Sequence, residues 1–418
     1  MPLLLRRPRR FFCNRPAPAI PHLCVLNRVY PPVSGATGTL LSELTPALVR
    51  RGWRVTVLTG PAQDAPRTEV TEDGVHVERV RALPFTRERT WQRGLAYASL
   101  FPAFVARALQ IPAPDVIVTK TDPPMLKVLG PLLERLTGAR TVHWAQDLYP
   151  EVAAGVDVIG ADGLLARTMR RLSTWALRNH HHVVAVGRCM QERLVQERGL
   201  SEAKVSVIPN WPPSEVAPIP HNQNPFRDQH DLHDRFVVMY SGNMGLAHPF
   251  DAVLDAAARL ATEQPEVLFL FVGEGPRKNE LQAQVDQRSL SNVRFLPFQP
   301  REKLAQSLSA ADLHLVTMES ELEGLVVPSK LYGALGVGRP ALFLGPAGSE
   351  AARLVESHNC GTVIPSPSGP RLAEAIEEWH ADPNRWAEAS ERAHRAVSNA
   401  RAEAIERFDR LFRTVLET

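Results

Sequence analysis

The residues best suited to do chemistry fall in one stretch, ESELEGLVVPSKLYGALGVGRP (319–340). Three carboxylates, Glu319, Glu321 and Glu323, follow an apolar run with the composition of a strand. A glycine and an apolar turn lead to Pro328, and Ser329 and Lys330 stand where a helix should begin. Serine is a favoured N-cap residue. A lysine in the first turn opposes the helix dipole, and a bound anion would explain it. Carboxylates beside such a helix start could hold sugar hydroxyls while the helix end takes a phosphate. An exposed acidic loop is the plainer alternative.

Four other turns have related chemistry. YPPVSGATG (30–38) carries Gly35 from a strand into a helix, where backbone N–H groups can approach an anion. QDLYPE (146–151) brackets a proline turn with Asp147 and Glu151 at a strand's C-terminal end. Such ends face the ligand crevice in parallel sheets, although either acid could instead cap the next helix. SGNMGLAH (241–248) offers Gly242, Asn243, Gly245 and His248 in a loop that suits a diphosphate, or else a turn and cap. GEGPRK (273–278) places Glu274 between two glycines and Arg277 and Lys278 at a helix start. A phosphate or solvent explains those cations, and solvent is the better reading for Lys278.

Two similar units position these turns. Residues 22–30, 53–60, 114–120, 139–147, 181–187 and 204–211 read as strands alternating with helices, the first helix over 37–52. Residues 212–233 lose hydrophobic periodicity and read as a linker. Strand–helix alternation resumes at 235–242 and 267–275, and further strands follow to GTVIP. The expected architecture is α/β: two Rossmann-like, doubly wound parallel-sheet domains facing a cleft. The boundaries are a basic leader at 1–20, a first domain at 21–211, the linker at 212–233, a second domain at 234–385, and C-terminal helices at 386–418 crossing back toward the first domain.

The 418 residues allow two cores, and a formal net charge of +3 requires no nucleic acid. Five arginines and no acid in the first twenty residues allow a membrane-touching arm or a plain extension. The leader lacks the apolar core of a secretory signal, and no run reaches membrane-spanning length. Four scattered cysteines suggest neither zinc nor disulfides and fit a reducing cytoplasm. The apolar stretch 95–109, near Arg87, Arg89 and Arg93, is an ordinary buried helix or a face toward a lipid-linked acceptor.

From about residue 21 the chain resembles the family 4 retaining glycosyltransferases of the GT-B fold. The likeness lies in the order of motifs: the glycine loop, WAQDLYPE, VIPNW, YSGNMG, GEGP and VVPSKLYG. It is nearest to the branch that builds surface polysaccharides and O-antigens. The resemblance implies a nucleotide-diphosphate sugar as co-substrate, no other cofactor, and a saccharide or polyprenyl-linked acceptor. It implies a cytoplasmic enzyme, with peripheral contact at the inner face of the plasma membrane left open. Asp147 with Glu321 or Glu323 would be catalytic. Val327, Pro328, Ser329, Lys330 and Leu331 would join Gly35 and the second-domain loops around the donor. Glu151 and Gln146 would lie on the acceptor side.

Three departures stand out. Lys330 occupies the position read as the second glutamate, which commonly holds the donor ribose. Gln146 stands where a histidine is usual. Asn243 and His248 occupy the stretch that usually carries the cations facing the diphosphate, so Lys330 could supply the missing charge. With no Asp-x-Asp in a suitable loop, metal independence is expected. A GT-B epimerase and a non-catalytic nucleotide-sugar-binding subunit remain alternatives, and a dinucleotide fingerprint is absent.

Overall fold

The computed structural model describes residues 20–33, 35–63, 65–83, 90–156, 160, 163–245 and 250–417. Two sheets carry the chain. The first contains β1 (His22–Leu26), β2 (Arg54–Thr59), β3 (Thr68–Val70), β4 (His76–Arg79), β5 (Val116–Thr119), β6 (Arg140–Ala145), β7 (His182–Ala185) and β8 (Val205–Val207). Their order is β3-β4-β2-β1-β5-β6-β7-β8, parallel except for the β3–β4 pair. The second contains β9 (Phe236–Ser241), β10 (Val267–Val272), β11 (Val293–Leu296), β12 (Leu313–Thr317), β13 (Ala341–Leu344) and β14 (Gly361–Ile364). It is parallel throughout, in the order β11-β10-β9-β12-β13-β14.

The strand chemistry explains this arrangement. Runs such as VLFLFV in β10 are buried along their whole length, as strands covered by helices on both faces must be. The chain reverses its direction of growth at β1 and again at β9, each of which has neighbours reached by crossovers in opposite directions. Ligand crevices form at such switch points, outside the C-terminal strand ends.

Two elements differ from the sequence reading. The hairpin β3–β4 is too short and polar to show as a buried strand. Its signal is the Asp73–Gly74 pair, with Gly74 at φ +83°. Within 212–233, Asn224 caps a short helix, Pro225–Gln229, by accepting from Phe226 N at 2.9 Å. Phe226 and Leu232 join the core beneath β9 and β10, and buried Arg227 donates to Ala310 O at 2.7 Å. One turn with two anchoring side chains leaves no periodicity to read.

The helix Ala400–Glu417 returns to the first sheet. Trp53 Nε1 donates to Asp409 Oδ1 at 2.7 Å, and Arg413 donates to Arg51 O at 2.8 Å. Phe408 is fully buried, with its ring centroid 4.5 Å from that of Trp144 in β6. The helix Thr90–Ala108 buries Ala96, Leu100, Phe104 and Ala108 along one stripe and exposes Leu95, with Leu109 exposed just beyond it. Arg87 and Arg89 lie outside the described residues, as do residues 1–19 of the basic leader. Cys24, Cys189 and Cys360 are free thiols. No helix among the described residues is long and apolar enough to cross a membrane.

Truncating Phe408 to alanine removes the ring that seats the last helix. Phe408→Ala is expected to lower unfolding free energy by about 3–5 kcal/mol, measured by denaturant unfolding.

Candidate functional site

The second sheet supplies one wall of the cleft. The loops after β9 and β10 are zipped by backbone bonds: Met244 N donates to Glu274 O at 2.8 Å, and Arg277 N to Met244 O at 3.2 Å. Only glycine fits between them. A Cβ on Gly273 would lie 2.1 Å from Gly242 O, and one on Gly275 would lie 2.4 Å from Met244 O. Gly242 and Gly273 also take φ values of +134° and +147°, which favour glycine. Asn243 is exposed at this edge and Gly245 is half-buried beside it. His248 lies outside the described residues.

Lys330 reaches this double loop from the start of the helix Lys330–Gly336. Its Nζ donates to Tyr240 Oη and lies 3.5 Å from Asn243 O and 3.6 Å from the Tyr240 ring centroid. Its Cε would stand 3.2 Å from a Cβ on Gly242. Burial pushes the ammonium down to about 7. No described carboxylate forms an ion pair with it. Ser329 occupies the cap position but makes no capping bond, because its own backbone is already helical. Pro328 and Val327 are half-buried before it, and Leu331 is buried after it.

The other candidates on this wall divide. Glu274 pairs with Lys278 at 2.7 Å, so Lys278 is held by a neighbour rather than left to solvent. Arg277 pairs with Glu280 at 2.8 Å and lies over the Phe250 ring. Glu321 is exposed, and its Cβ faces Gly155 of the first domain, 3.7 Å from where a Cβ there would lie. Glu323 turns to Gly348, where a Cβ would meet its Oε1 at 2.2 Å. If the two glutamates of the family pattern are separated by seven residues, Glu321 pairs with position 329 and Glu323 with 331, so Lys330 stands one position from either.

The first sheet supplies the facing wall. Asp147 emerges from β6 and meets the second domain directly: it bridges Val326, and Leu148 N donates to Leu325 O at 2.9 Å. Burial raises the Asp147 carboxyl to about 6; Asp122 adds to the rise, while Lys120 and Lys127 oppose it. Lys120 is fully buried at the end of β5, donating to Thr37 O at 3.1 Å with its Nζ 3.6 Å from the Trp144 ring centroid. Desolvation holds its ammonium well below the usual lysine range. Asp122 accepts two bonds from Arg28, at 2.7 and 2.8 Å. Gly35 precedes the first turn of the helix Ala36–Arg50, packed against Val29.

Glu151 and Gln146 are occupied internally. Gln146 exchanges two amide bonds with buried Asn210, each 2.9 Å. Glu151 accepts from Arg170 at 3.0 Å and pairs with Arg198. Gln146 is thus committed to Asn210, and Glu151 is held through Oε1, while its buried Oε2 has no hydrogen-bond partner among the described residues. Lys120, Arg28 and Asp122 escaped the sequence reading. The same strand-end logic that picked Asp147 would have found Lys120 and Asp122 in VIVTKTDPP after β5, and Arg28 in LNRVY after β1. Grooves of about 620 and 540 Å³ lie away from this seam, by β8 and by Asp231.

Comparison with known proteins follows these two walls. Residues 35–211 match the glycosyl transferase 4-like domain, and residues 222–403 match glycosyl transferases group 1. The chain is 30% identical over 350 residues to the putative colanic acid biosynthesis glycosyl transferase WcaI of Escherichia coli K12, covering 78% of this chain and 84% of that protein. It is 28% identical over 296 residues to the probable glycosyltransferase WbjE of Pseudomonas aeruginosa, covering 70% and 73%. In fold it is similar to sucrose-phosphate synthase from Thermosynechococcus elongatus, with TM-score 0.74, 17% identity and 95% and 99% coverage. It is also similar to Anabaena HepE in complex with UDP, with TM-score 0.69, 16% identity and 94% and 100% coverage.

Asp147 gives a pH-dependent prediction. Its folded value, about 6, lies above the ordinary 3.8, so the ionised form opposes folding. That penalty is absent below the ordinary value and complete above about 6. Asp147→Asn is therefore expected to stabilise the protein at pH 8 by up to about 3 kcal/mol. The gain should fade as pH falls to 4, followed by thermal unfolding across that range.

Proposed function

The chain belongs to the GT4-type glycosyltransferases of the GT-B fold, and from that premise we propose a retaining transfer in the making of a cell-surface polysaccharide. The group moved is a hexosyl or N-acetylaminohexosyl unit. The donor is a nucleotide-diphosphate sugar, and the acceptor is a saccharide or polyprenyl-linked saccharide presented in the cytoplasm. The relatives WcaI and WbjE support the glycosyl-transfer reading, and HepE, described in complex with UDP-glucose, supports the donor class.

The observation that carries the reading is the position of Lys330. An ammonium with no carboxylate ion pair among the described residues sits beneath a double loop of glycines at a strand switch point. A diphosphate in that loop would meet backbone N–H groups and this cation together. Gly242, Asn243, Gly245 and Glu274 cradle the donor. Arg277 adds charge, and Val327 to Leu331 close the ribose side. Asp147, which bridges Val326 at the seam, and Glu321, beside Gly155, orient the transferred sugar, with Glu323 supporting the loop.

In the reaction, the bond from the anomeric carbon to the diphosphate oxygen breaks, and the nucleoside diphosphate leaves with the electron pair. The acceptor oxygen bonds to the same face. Its proton passes to the departing phosphate oxygen. Contact between the walls excludes water from the cation-like centre. No metal enters this scheme, and full activity in chelator is the expected result.

Lys330→Met is expected to weaken binding of nucleoside diphosphates by about 10- to 100-fold, measured by calorimetry, with melting temperature unchanged or raised. Unchanged affinity would remove Lys330 from the donor site. A thermal-shift panel of nucleoside diphosphates should show stabilisation by one base preferentially.

A further inference from the structure

The helix Leu164–Asn179, LLARTMRRLSTWALRN, presents an unusual outer face. Leu164 is 77% exposed, Leu165 62%, Leu172 42% and Trp175 38%. At about 100° per residue these four side chains fall within one arc of roughly 100°. Arg167, Arg171 and Arg178 line one edge of that arc, and all three are exposed. The helix contains four arginines and no acid. Its opposite face is already satisfied: Ala166, Ser173, Ala176 and Leu177 are buried against the domain. The exposed apolar stripe is therefore not part of the core.

We propose that this helix docks the protein on an anionic phospholipid surface, lying in the headgroup plane with its leucines and Trp175 inserted. The composition fits that occupant. A stripe of leucine and tryptophan beside arginines is the pattern of an interfacial helix. Tryptophan favours the headgroup level. Arginines without acids match a surface of diffuse negative charge. Arg167 and Arg171 form no ion pair with a described residue. The adjoining helix, Leu129–Thr137, adds exposed Leu132, Arg135 and Leu136, with its one acid, Glu134, turned to His181.

The docking helix is tied to the cleft. Arg170, on its inner side, donates to Glu151 at 3.0 Å, and Glu151 begins the short helix after the Asp147 turn. Docking would hold the first-domain wall near the membrane surface. The inference stands apart from the donor reading, since binding to lipid needs no turnover.

The test is flotation of the full chain with vesicles of phosphatidylcholine alone and of phosphatidylcholine mixed with phosphatidylglycerol. Wild-type protein should float with the mixed vesicles and not with phosphatidylcholine alone. Replacing Leu165 and Trp175 together by serine, or Arg167 and Arg171 together by glutamine, should cut the binding constant about 10- to 30-fold. The arginine pair removes no core packing, so its melting temperature should match wild type. The proposal fails if wild-type protein does not float with anionic vesicles. It also fails if both variants float as well as wild type, which would move the contact elsewhere in the chain. If sizing shows a dimer that the variants dissolve, the face is a protein interface and the proposal is wrong.

Discussion

Nothing larger than hydrogen fits between the first two loops of the second sheet. Gly242 O and Met244 O stand where Cβ atoms on Gly273 and Gly275 would be. This steric limit fixes much else. It lets β9 and β10 keep full register from Phe236–Val267 to Ser241–Val272 and still turn sharply at the same edge. It leaves two rows of backbone amides at one strand end, and it makes room for the Lys330 stem beside Gly242. A side chain at any of these glycines would push the loops apart. The cation would then lose Asn243 and Tyr240 as neighbours together.

The second constraint is the seam between the domains. Leu148 N meets Leu325 O, Arg188 N donates to Glu350 Oε2 at 2.7 Å, and Cys189 Sγ lies 3.0 Å from Gly348 O. Glu43, on the first helix, accepts from Trp211 Nε1 and Ser214 N, each at 2.8 Å, so the chain leaving the first domain is tethered at its start. Each such bond is worth about 0.5–1.5 kcal/mol net. A few of them hold a defined closed arrangement, yet their sum is small enough for the cleft to open to substrates. The returning helix at 400–417 is different in kind. It is anchored by buried aromatic rings and does not separate without exposing them.

The sheets were legible because each central strand is a continuous apolar run ending in a turn. Their limits were not, since periodicity does not say where pairing stops: 204–211 reads as one strand, but β8 ends at Val207. The strand-end rule pointed to Asp147 and Gly242, which follow β6 and β9, while Lys330 was read from the helix start it occupies. It could not show how side chains are used. Gln146 and Glu151 sit beside Asp147 in the sequence and point to Asn210 and Arg198, partners 64 and 47 positions away. Lys120 lay in plain view at a strand end. Its significance depends on burial against Trp144, and only the packing reveals that.

The central claim is that the double glycine loop with Lys330 receives the donor diphosphate. Hydrogen exchange of backbone amides, measured with and without the nucleoside diphosphate that stabilises the protein, tests it most directly. The account predicts slowed exchange in 241–245 and 273–278, and at the start of the Lys330 helix. Unchanged exchange in all three, with protection confined to the first-sheet loops, would contradict it.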